Sequence, residues 1–239
     1  LWQLMDEPWQ ALCCDSAHLD ERVTAYYNHP VWLLNGLFIE KDPQSLAHRK
    51  AFTRWAAGKR PVRVADYGGG FGGLARLLGA VLPEAQVEVV EPHPHPAAIA
   101  LALDTPNVRY VQNLSGEYDL LIATDVFEHV PDPLGLVIST AFSLRISGKY
   151  IIANCFAPVV SCHLPQLFHF SISWIDVMKA VGLSPEEGLG YGHVYIRSEV
   201  LDERSARRLE KVSKKIYPYS FLFPFARHKF GKILFKAFS

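Results

Sequence analysis

The sequence has few cysteines and methionines and no surplus of charge of either sign. Its 239 residues include four Cys and two Met, and 24 Lys and Arg balance 24 Asp and Glu. Cys13 and Cys14 are adjacent, while Cys155 and Cys162 are far away, which fits neither a disulfide framework nor a paired CxxC zinc site. We therefore expect a reducing, cytoplasmic environment and no overall charge signature of nucleic-acid binding.

Long hydrophobic runs are also absent. No stretch approaches 18 uninterrupted apolar residues, and the acidic N-terminal segment lacks a basic region followed by an apolar one. The sequence thus predicts neither a membrane-spanning helix nor a signal peptide. With 49% hydrophobic and 20% charged residues, the chain has a globular composition and sufficient length for one large α/β core.

Three segments differ in pattern. Residues 1–58 alternate apolar and polar positions as short helices do, and predict a helical cap or lid. Residues 59–200 alternate β-rich runs with helical ones, which predicts an α/β core with a doubly wound, mostly parallel sheet. The predicted strands cover 62–67, 86–91, 107–112, 118–124, 149–154 and 191–197. Residues 201–239 form a basic helical tail, with ten Lys and Arg against three Asp and Glu.

A glycine-rich turn follows the first predicted strand. Residues 66–73 read DYGGGFGG and open a helix, as expected where the backbone approaches a ligand closely. Gly68, Gly70 and Gly73 formally satisfy the GxGxxG spacing of dinucleotide sites. Asp66, however, would face a pyrophosphate unfavourably and suits a ligand that carries an ammonium and a sulfonium group. Glu91, after the next strand, suits ribose hydroxyls in either kind of site.

These features resemble the class I S-adenosylmethionine-dependent methyltransferases over about residues 60 to 200. The segment DLLIATDVFEHVPDP at 119–133 is similar to the ubiquinone-biosynthesis type of that family. The resemblance implies a Rossmann-like fold, S-adenosyl-L-methionine as the cofactor and S-adenosyl-L-homocysteine as its product. It assigns the cofactor contacts to Asp66, Tyr67, Gly68, Gly70, Gly72, Glu91, Gln112, Asn113, Leu114, Asp125 and Val126.

The acceptor is expected beyond the carboxyl ends of the fourth and fifth strands, where ligands of open α/β sheets bind. The candidate catalytic residues are His129, His163 and His169, since a histidine can serve as general base for a hydroxyl. For His129 the alternative is a structural role, in which its pairing with Glu128 orders the loop or caps a helix. For His163 and His169 the alternative is a packed or surface histidine. The candidate substrate contacts are Tyr26, Tyr27, Phe127 and Asn154.

No metal is predicted at the acceptor side. Glu128, His129, Cys162, His163 and His169 are ligand types for zinc or iron, but they lack local spacings such as HxxxH or CxxC. The predicted activity is therefore methyl transfer to a small molecule or glycoconjugate, with oxygen as the favoured atom and a histidine as base. The alternatives are an NAD-dependent oxidoreductase and a non-catalytic nucleotide-binding module of the same fold.

The C-terminal tail, residues 216–239, interleaves aromatic and basic side chains. This pattern is typical of a peripheral membrane contact or of an anionic protein partner. It is equally typical of docking onto the acidic body of the same chain, because the first two hundred residues carry the compensating negative charge. That negative charge also argues against nucleic acid as a partner. The residues concerned are Phe221, Phe223, Phe225, Arg227, Lys229, Phe230, Lys232, Leu234, Phe235, Lys236 and Phe238.

Overall fold

A single mixed sheet of seven strands organises the part of the chain that the computed structural model describes, residues 1–222 and 227–239. The strand order is β3-β2-β1-β4-β5-β7-β6. Phe223 and Phe225 of the tail lie outside the described residues. The strands are β1 (Arg63–Tyr67), β2 (Gln86–Val90), β3 (Val108–Val111), β4 (Tyr118–Thr124), β5 (Leu144–Ala153), β6 (Leu183–Leu189) and β7 (Gly192–Arg197).

Strands β1 to β5 are parallel, and β7 runs antiparallel to both β5 and β6. Because β2 and β3 lie on one side of β1 and β4 lies on the other, the strand order reverses at β1, which is where such folds bind ligands. The predicted doubly wound, mostly parallel Rossmann-like sheet is confirmed. Strand β6 was not predicted, because its sequence LSPEEGL contains Pro185, which is tolerated at a sheet edge.

Ten helices accompany the sheet in the described residues. Four precede it: α1 (Trp2–Ala11), α2 (Glu21–Tyr27), α3 (Val31–Lys41) and α4 (Pro43–Lys59). Four lie between strands: α5 (Gly73–Val81), α6 (Pro96–Ala102), α7 (Pro133–Ala141) and α8 (Trp174–Val181). Two follow: α9 (Glu203–Ile216) and α10 (Arg227–Phe238). Shorter 3₁₀ segments span Phe127–His129, Pro165–Ile172 and Tyr217–Leu222.

Helix boundaries follow local sequence signals. Asp132 accepts a hydrogen bond from the Gly135 amide and precedes Pro133 at the first turn of α7. Helix α8 ends at Gly182, whose φ of 102° is readily adopted only by glycine. Both signals are visible in the sequence, so these ends could be predicted without tertiary information.

The two faces of the sheet bury separate cores. Alternate residues of β4 divide between them, since Leu121 and Ala123 join one cluster while Leu120 and Ile122 join the other. The first cluster packs under α7 and α8, and the second packs under α4 and α5. Burial of each large aliphatic side chain contributes about 1.5–3 kcal/mol. This packing holds the carboxyl ends of β1 and β4 side by side.

The N-terminal helices pack against the carboxyl edge of the sheet. A Cβ at Gly36 of α3 would lie 2.7 Å from the Cβ of Phe71 in the glycine loop, so the helix approaches the loop closely. Glu40, also in α3, forms an ion pair with Arg76 of α5. The division into a cap at 1–58, a core at 59–200 and a tail at 201–239 stays a prediction.

The described part of the tail packs on the body of the protein. Phe235 of α10 is fully buried against Ile172 and Ile216, whereas Phe238 is 70% exposed. Among the described residues no helix is both long enough and apolar enough to cross a bilayer.

Candidate functional site

The glycine loop between β1 and α5 adopts left-handed backbone conformations at Gly68, Gly70 and Gly72, with φ of 66°, 50° and 71°. Residues other than glycine rarely adopt such backbone angles. A Cβ at Gly68 would lie 2.6 Å from Cγ2 of Val126, so glycine is also required there for close packing. A Cβ at Gly70, in contrast, would meet no atom within 4 Å. The loop therefore presents bare backbone to open space at Gly70.

Asp66 lies beneath this loop, with only 1% of its surface exposed. Its Cγ and Oδ2 are each 2.8 Å from the position of a Cβ on Gly69, and Oδ2 has no hydrogen-bond partner among the described residues. Burial raises the pKa of Asp66 to about 7. The Asp66 carboxyl thus lies against the backbone of the glycine loop, and its predicted contact with the cofactor stays a prediction.

The second acidic position and the residues after β3 lie at the rim of the same edge. Glu91 is half-buried directly after β2, and its Oε1 accepts a weak hydrogen bond from the His93 amide at 3.4 Å. Gln112 and Asn113 are exposed, while Leu114 packs against the core. These residues stand where the sequence placed them, and their contacts with a cofactor stay a prediction.

Asp125 and Val126 follow β4, next to the glycine loop. Asp125 has a φ of 53°, and its Oδ2 accepts a hydrogen bond of 2.8 Å from the hydroxyl of Tyr191. Sequence reasoning missed Tyr191, because it assigned residues 191–197 to a strand. The residue instead lies in the turn between β6 and β7, and Gly190 and Gly192 on either side were the available signal of a turn.

Glu128, His129 and His163 form a cluster on the acceptor side of this edge. One carboxylate oxygen and one nitrogen from each histidine ring all lie within 4.8 Å of one another. Glu128 is fully buried, and its Oε1 accepts a hydrogen bond from the Cys155 amide at 2.7 Å. Burial, together with the nearby Asp125 carboxylate, raises the pKa of Glu128 to about 8.

Backbone carbonyls fix the tautomers of both histidines. Nδ1 of His129 lies 3.2 Å from the Cys162 carbonyl oxygen, and Nδ1 of His163 lies 2.6 Å from that of Ala157. Because a carbonyl oxygen can only accept, each Nδ1 carries the hydrogen and each Nε2 keeps its lone pair. Burial lowers the pKa of His129 to about 3 and also lowers that of His163, so both rings are neutral at pH 7.

Two other predicted acceptor residues reach this cluster. Tyr27 is 39% exposed, and its hydroxyl lies 3.4 Å from Nδ1 of His129. Asn154, with its NH2 group oriented towards Glu128, donates to Oε2 at 3.2 Å. Helix α2 and the end of β5 thus each contribute a side chain to the cluster at the carboxyl edge of the sheet.

Three predicted residues are buried elsewhere. The ring of Tyr26 is fully buried beside Trp9, and Phe127 is fully buried against Trp174, so neither faces the crevice. His169 is also buried, with Nδ1 3.2 Å from the hydroxyl of Ser213 in α9. These positions correct the expectation of acceptor contacts, because hydrophobic packing and tail docking occupy the three side chains.

A family model described as a methyltransferase domain matches residues 38–183 of this chain. The chain belongs to this methyltransferase family. Together with the strand order, this identifies a class I S-adenosylmethionine-dependent methyltransferase and decides against the oxidoreductase alternative. No curated protein matches the chain in sequence.

Solved methyltransferase structures share the fold. An O-methyltransferase family protein from Burkholderia thailandensis has a TM-score of 0.52 at 15% identity, over 84% of this chain and 70% of its own. The 1,6-didemethyltoxoflavin-N1-methyltransferase of that organism, with 1,6-didemethyltoxoflavin and S-adenosylhomocysteine bound, has a TM-score of 0.50 at 18% identity, over 81% of this chain and 91% of its own. A riboflavin-derivative dimethyltransferase, RosA from Streptomyces davawensis, has a TM-score of 0.50 at 15% identity, over 64% of this chain and 54% of its own.

Proposed function

We propose that this methyltransferase methylates an oxygen atom of a small-molecule or glycoconjugate acceptor, with a histidine as the base. The observation that carries the proposal is the pair formed by His129 and His163, whose ring centroids lie 4.9 Å apart at the carboxyl edge of the sheet. Both rings present an unprotonated Nε2, which is the atom that accepts a proton from a hydroxyl.

The cofactor is proposed to lie along the glycine loop. S-adenosylmethionine supplies an activated methyl group on a sulfonium, so the protein has to align, desolvate and deprotonate the acceptor. The open space at Gly70 supports a backbone cradle for the methionine part, and the unpartnered Oδ2 of Asp66 lies at the base of that cradle. Asp66 is proposed to attract the cationic cofactor electrostatically across the loop, because a cation above the loop would stabilise the ionised form of this carboxyl.

The remaining cofactor contacts are proposed around this cradle. Glu91 is placed to accept hydrogen bonds from ribose hydroxyls, because it follows β2 at the same edge. The adenine is assigned to the rim after β3. The proposed contacts are Tyr67, Gly68, Gly72, Gln112, Asn113, Leu114, Asp125 and Val126.

Tyr27 is proposed as the acceptor contact that the N-terminal helices contribute. Its ring stacks on Trp32 at 5.2 Å between centroids and faces His129 edge-on at 6.3 Å. An aromatic wall beside a neutral histidine pair suits a hydroxyl on a flat or partly apolar acceptor, because the ring excludes water from the reacting oxygen. Asn154 is proposed to orient Glu128 beneath this pair.

Turnover with defined acceptors tests the proposal. The purified protein is incubated with S-adenosylmethionine and with matched acceptors that differ only in bearing a hydroxyl or an amine, and S-adenosylhomocysteine and the methylated product are measured by mass spectrometry. We expect O-methylated product and a loss of about 100-fold or more in kcat for H163Q. The matched control is H18Q, which alters an exposed histidine paired with Asp15.

Methylation of the amine alone would reject oxygen as the acceptor atom. Unchanged kcat in both H129Q and H163Q would reject the histidine base. Binding of S-adenosylmethionine without turnover of any acceptor would favour the non-catalytic alternative.

A further inference from the structure

Helix α10 carries a row of lysines on the side that faces away from the protein. Gly231 and Phe235 are buried about one helical turn apart, so this side of the helix faces the body. On the exposed side, three lysines recur at the i, i+3, i+7 spacing of a single helix face, and these are Lys229, Lys232 and Lys236. The helix therefore presents positive charge to whatever lies outside the protein.

The body of the protein does not neutralise these lysines. In the part of the chain that the structure describes, none of the three forms an ion pair. The tail is attached instead by Phe235, which packs against Ile172 and Ile216, and by an ion pair between Arg207 and Asp132. Docking of the tail on the acidic body thus leaves the positive charge of α10 available to a partner.

Large apolar side chains are exposed beside this basic face. They are Ile233 and Phe238 of α10, and Tyr219 and Leu222 of the 3₁₀ segment before it. Helix α10 touches that segment, since a Cβ on Gly231 would lie 3.1 Å from the Cβ of Ser220. At a bilayer surface, lysine ammonium groups stay among the head groups while apolar side chains enter the acyl boundary. A nucleic acid offers no such apolar layer, so the combination favours a bilayer as the partner.

Helix α9 adds a second row of positive charge. Opposite its buried side, four exposed cations recur at the spacing i, i+4, i+7, i+11, and these are Arg204, Arg208, Lys211 and Lys215. None of the four forms an ion pair with a described carboxylate. Helix α9 contacts α10, so the two rows belong to one region of the molecule.

The charge of the whole chain is distributed unevenly. Residues 201–239 hold ten Lys and Arg against three Asp and Glu, whereas the whole chain has 24 of each kind. The rest of the chain therefore carries the opposite excess. A negatively charged surface would attract the tail and repel the body, and the molecule would approach it with α9 and α10 in front.

We propose that the exposed faces of α10 and of the 3₁₀ segment before it bind the surface of an anionic phospholipid bilayer. The three lysines contact the head groups, while Ile233, Phe238 and Leu222 enter the acyl boundary. The cations of α9 strengthen the attraction over a distance of about 8–10 Å at physiological salt. Binding requires no folding of the tail, because Phe235 already holds α10 on the body. It also does not depend on which atom the enzyme methylates.

Co-sedimentation of the full chain with vesicles tests this proposal. Vesicles of phosphatidylcholine alone are compared with vesicles that contain about 30% phosphatidylserine, in low salt and in about 0.5 M NaCl. We expect binding to the phosphatidylserine vesicles in low salt, and affinities lower by about tenfold or more on phosphatidylcholine and in high salt, because salt screens the lysines. Absence of binding to the anionic vesicles, or equal binding to both kinds, would overturn the proposal.

Charge variants locate the binding face. K232Q/K236Q should lower the affinity for the anionic vesicles by about 20-fold, since each lysine near such a surface contributes about fivefold. K50Q/K59Q is the matched control, because it removes the same charge from exposed lysines of α4. Circular dichroism shows that each variant is folded. Equal affinities of the two double variants would show that net charge, and not this face, attracts the protein, and would overturn the assignment.

An apolar variant distinguishes a bilayer from a polyanion. I233S should weaken vesicle binding by about tenfold, because serine removes the side chain that enters the acyl boundary. I146S is the control, since Ile146 of β5 is 56% exposed and Ile233 is 57% exposed. Equal vesicle affinities for folded I233S and I146S would reject insertion. Binding of a folded RNA that is lost in K232Q/K236Q and unchanged in I233S, without binding to anionic vesicles, would assign the surface to nucleic acid and overturn the proposal.

Discussion

The hydroxyl of Tyr191 donates a hydrogen bond of 2.8 Å to Oδ2 of Asp125. This contact ties the turn between β6 and β7 to the residue that follows β4, and thereby joins the antiparallel edge of the sheet to the proposed cofactor crevice. Asp125 holds a left-handed φ of 53°, a conformation that non-glycine residues keep only when neighbouring contacts enforce it. Tyr191 is one such contact.

Replacement of Tyr191 by phenylalanine should weaken cofactor binding without unfolding the protein. The change removes one hydrogen bond to a carboxylate, which contributes about 1.5–3 kcal/mol, and so lowers the affinity for S-adenosylmethionine by about tenfold or more. Isothermal titration calorimetry measures the effect. Y219F, at an exposed tyrosine, is the control. Equal affinities for Y191F and Y219F would show that the contact does not support the crevice.

Substitution of Gly68 by alanine should both destabilise the protein and abolish measurable cofactor binding. The new Cβ would lie 2.6 Å from Val126 at a φ of 66°, and such backbone strain costs about 1–3 kcal/mol. G58A is the matched control, because Gly58 lies in α4 and its Cβ would meet nothing within 4 Å. Urea denaturation should show a stability for G58A equal to or above that of the wild type. If G68A were as stable as G58A, the tight packing of the loop would be disproved.

The stability of the protein should carry a pH dependence that is due to Asp66. Its folded pKa of about 7 exceeds the ordinary value of 3.8, so the folded state binds more protons than the unfolded state between these values. This carboxyl therefore lowers stability as pH rises from about 4 to 7, by up to about 4 kcal/mol. Urea denaturation of the wild type and of D66N at pH 5 and pH 8 measures this pH dependence of the free energy of unfolding. D66N should gain stability relative to the wild type at pH 8, and an identical change in both proteins would contradict the prediction.

Truncation of Phe235 should release α10 from the body of the protein. The side chain is fully buried, and Phe to Ala changes at such positions cost about 3–5 kcal/mol. F238A alters an exposed ring of the same helix and should have little effect. Hydrogen exchange of residues 227–239 reports the release.

Co-sedimentation with anionic vesicles then distinguishes docking of the tail on the body of the protein from binding of the tail to a membrane. If self-docking masks a membrane-binding face, F235A should bind more strongly than the wild type. Binding that is lost in F238A and unchanged in F235A would instead assign membrane contact to the exposed face of α10.

Much of the fold follows from local patterns. Alternating β-rich and helical runs predicted five parallel strands, because buried strands and amphipathic helices have different periodicities. The glycine-rich turn was equally visible, since left-handed backbone angles select glycine at three nearby positions. Strand β6 was not predicted from the sequence, because its pairing with β7, and not its composition, makes it a strand.

The site depends more on tertiary structure. From sequence, Tyr26 and Tyr27 were equivalent neighbours, yet packing buries Tyr26 and leaves Tyr27 beside His129. Asp66 could be placed after β1, but the path of the loop decided that its carboxyl lies underneath.

By itself, the sequence determined the order of the strands along the chain, the glycine turn and the acidic residue after β2, because each has a signal within a few residues. Only the tertiary structure decided that His163 joins Glu128 and His129, and that Tyr191 reaches Asp125. These contacts depend on which strands become neighbours in the sheet. The order of neighbouring strands is determined by the burial of whole faces of the sheet, and the local spacing of residues in the sequence does not reveal it.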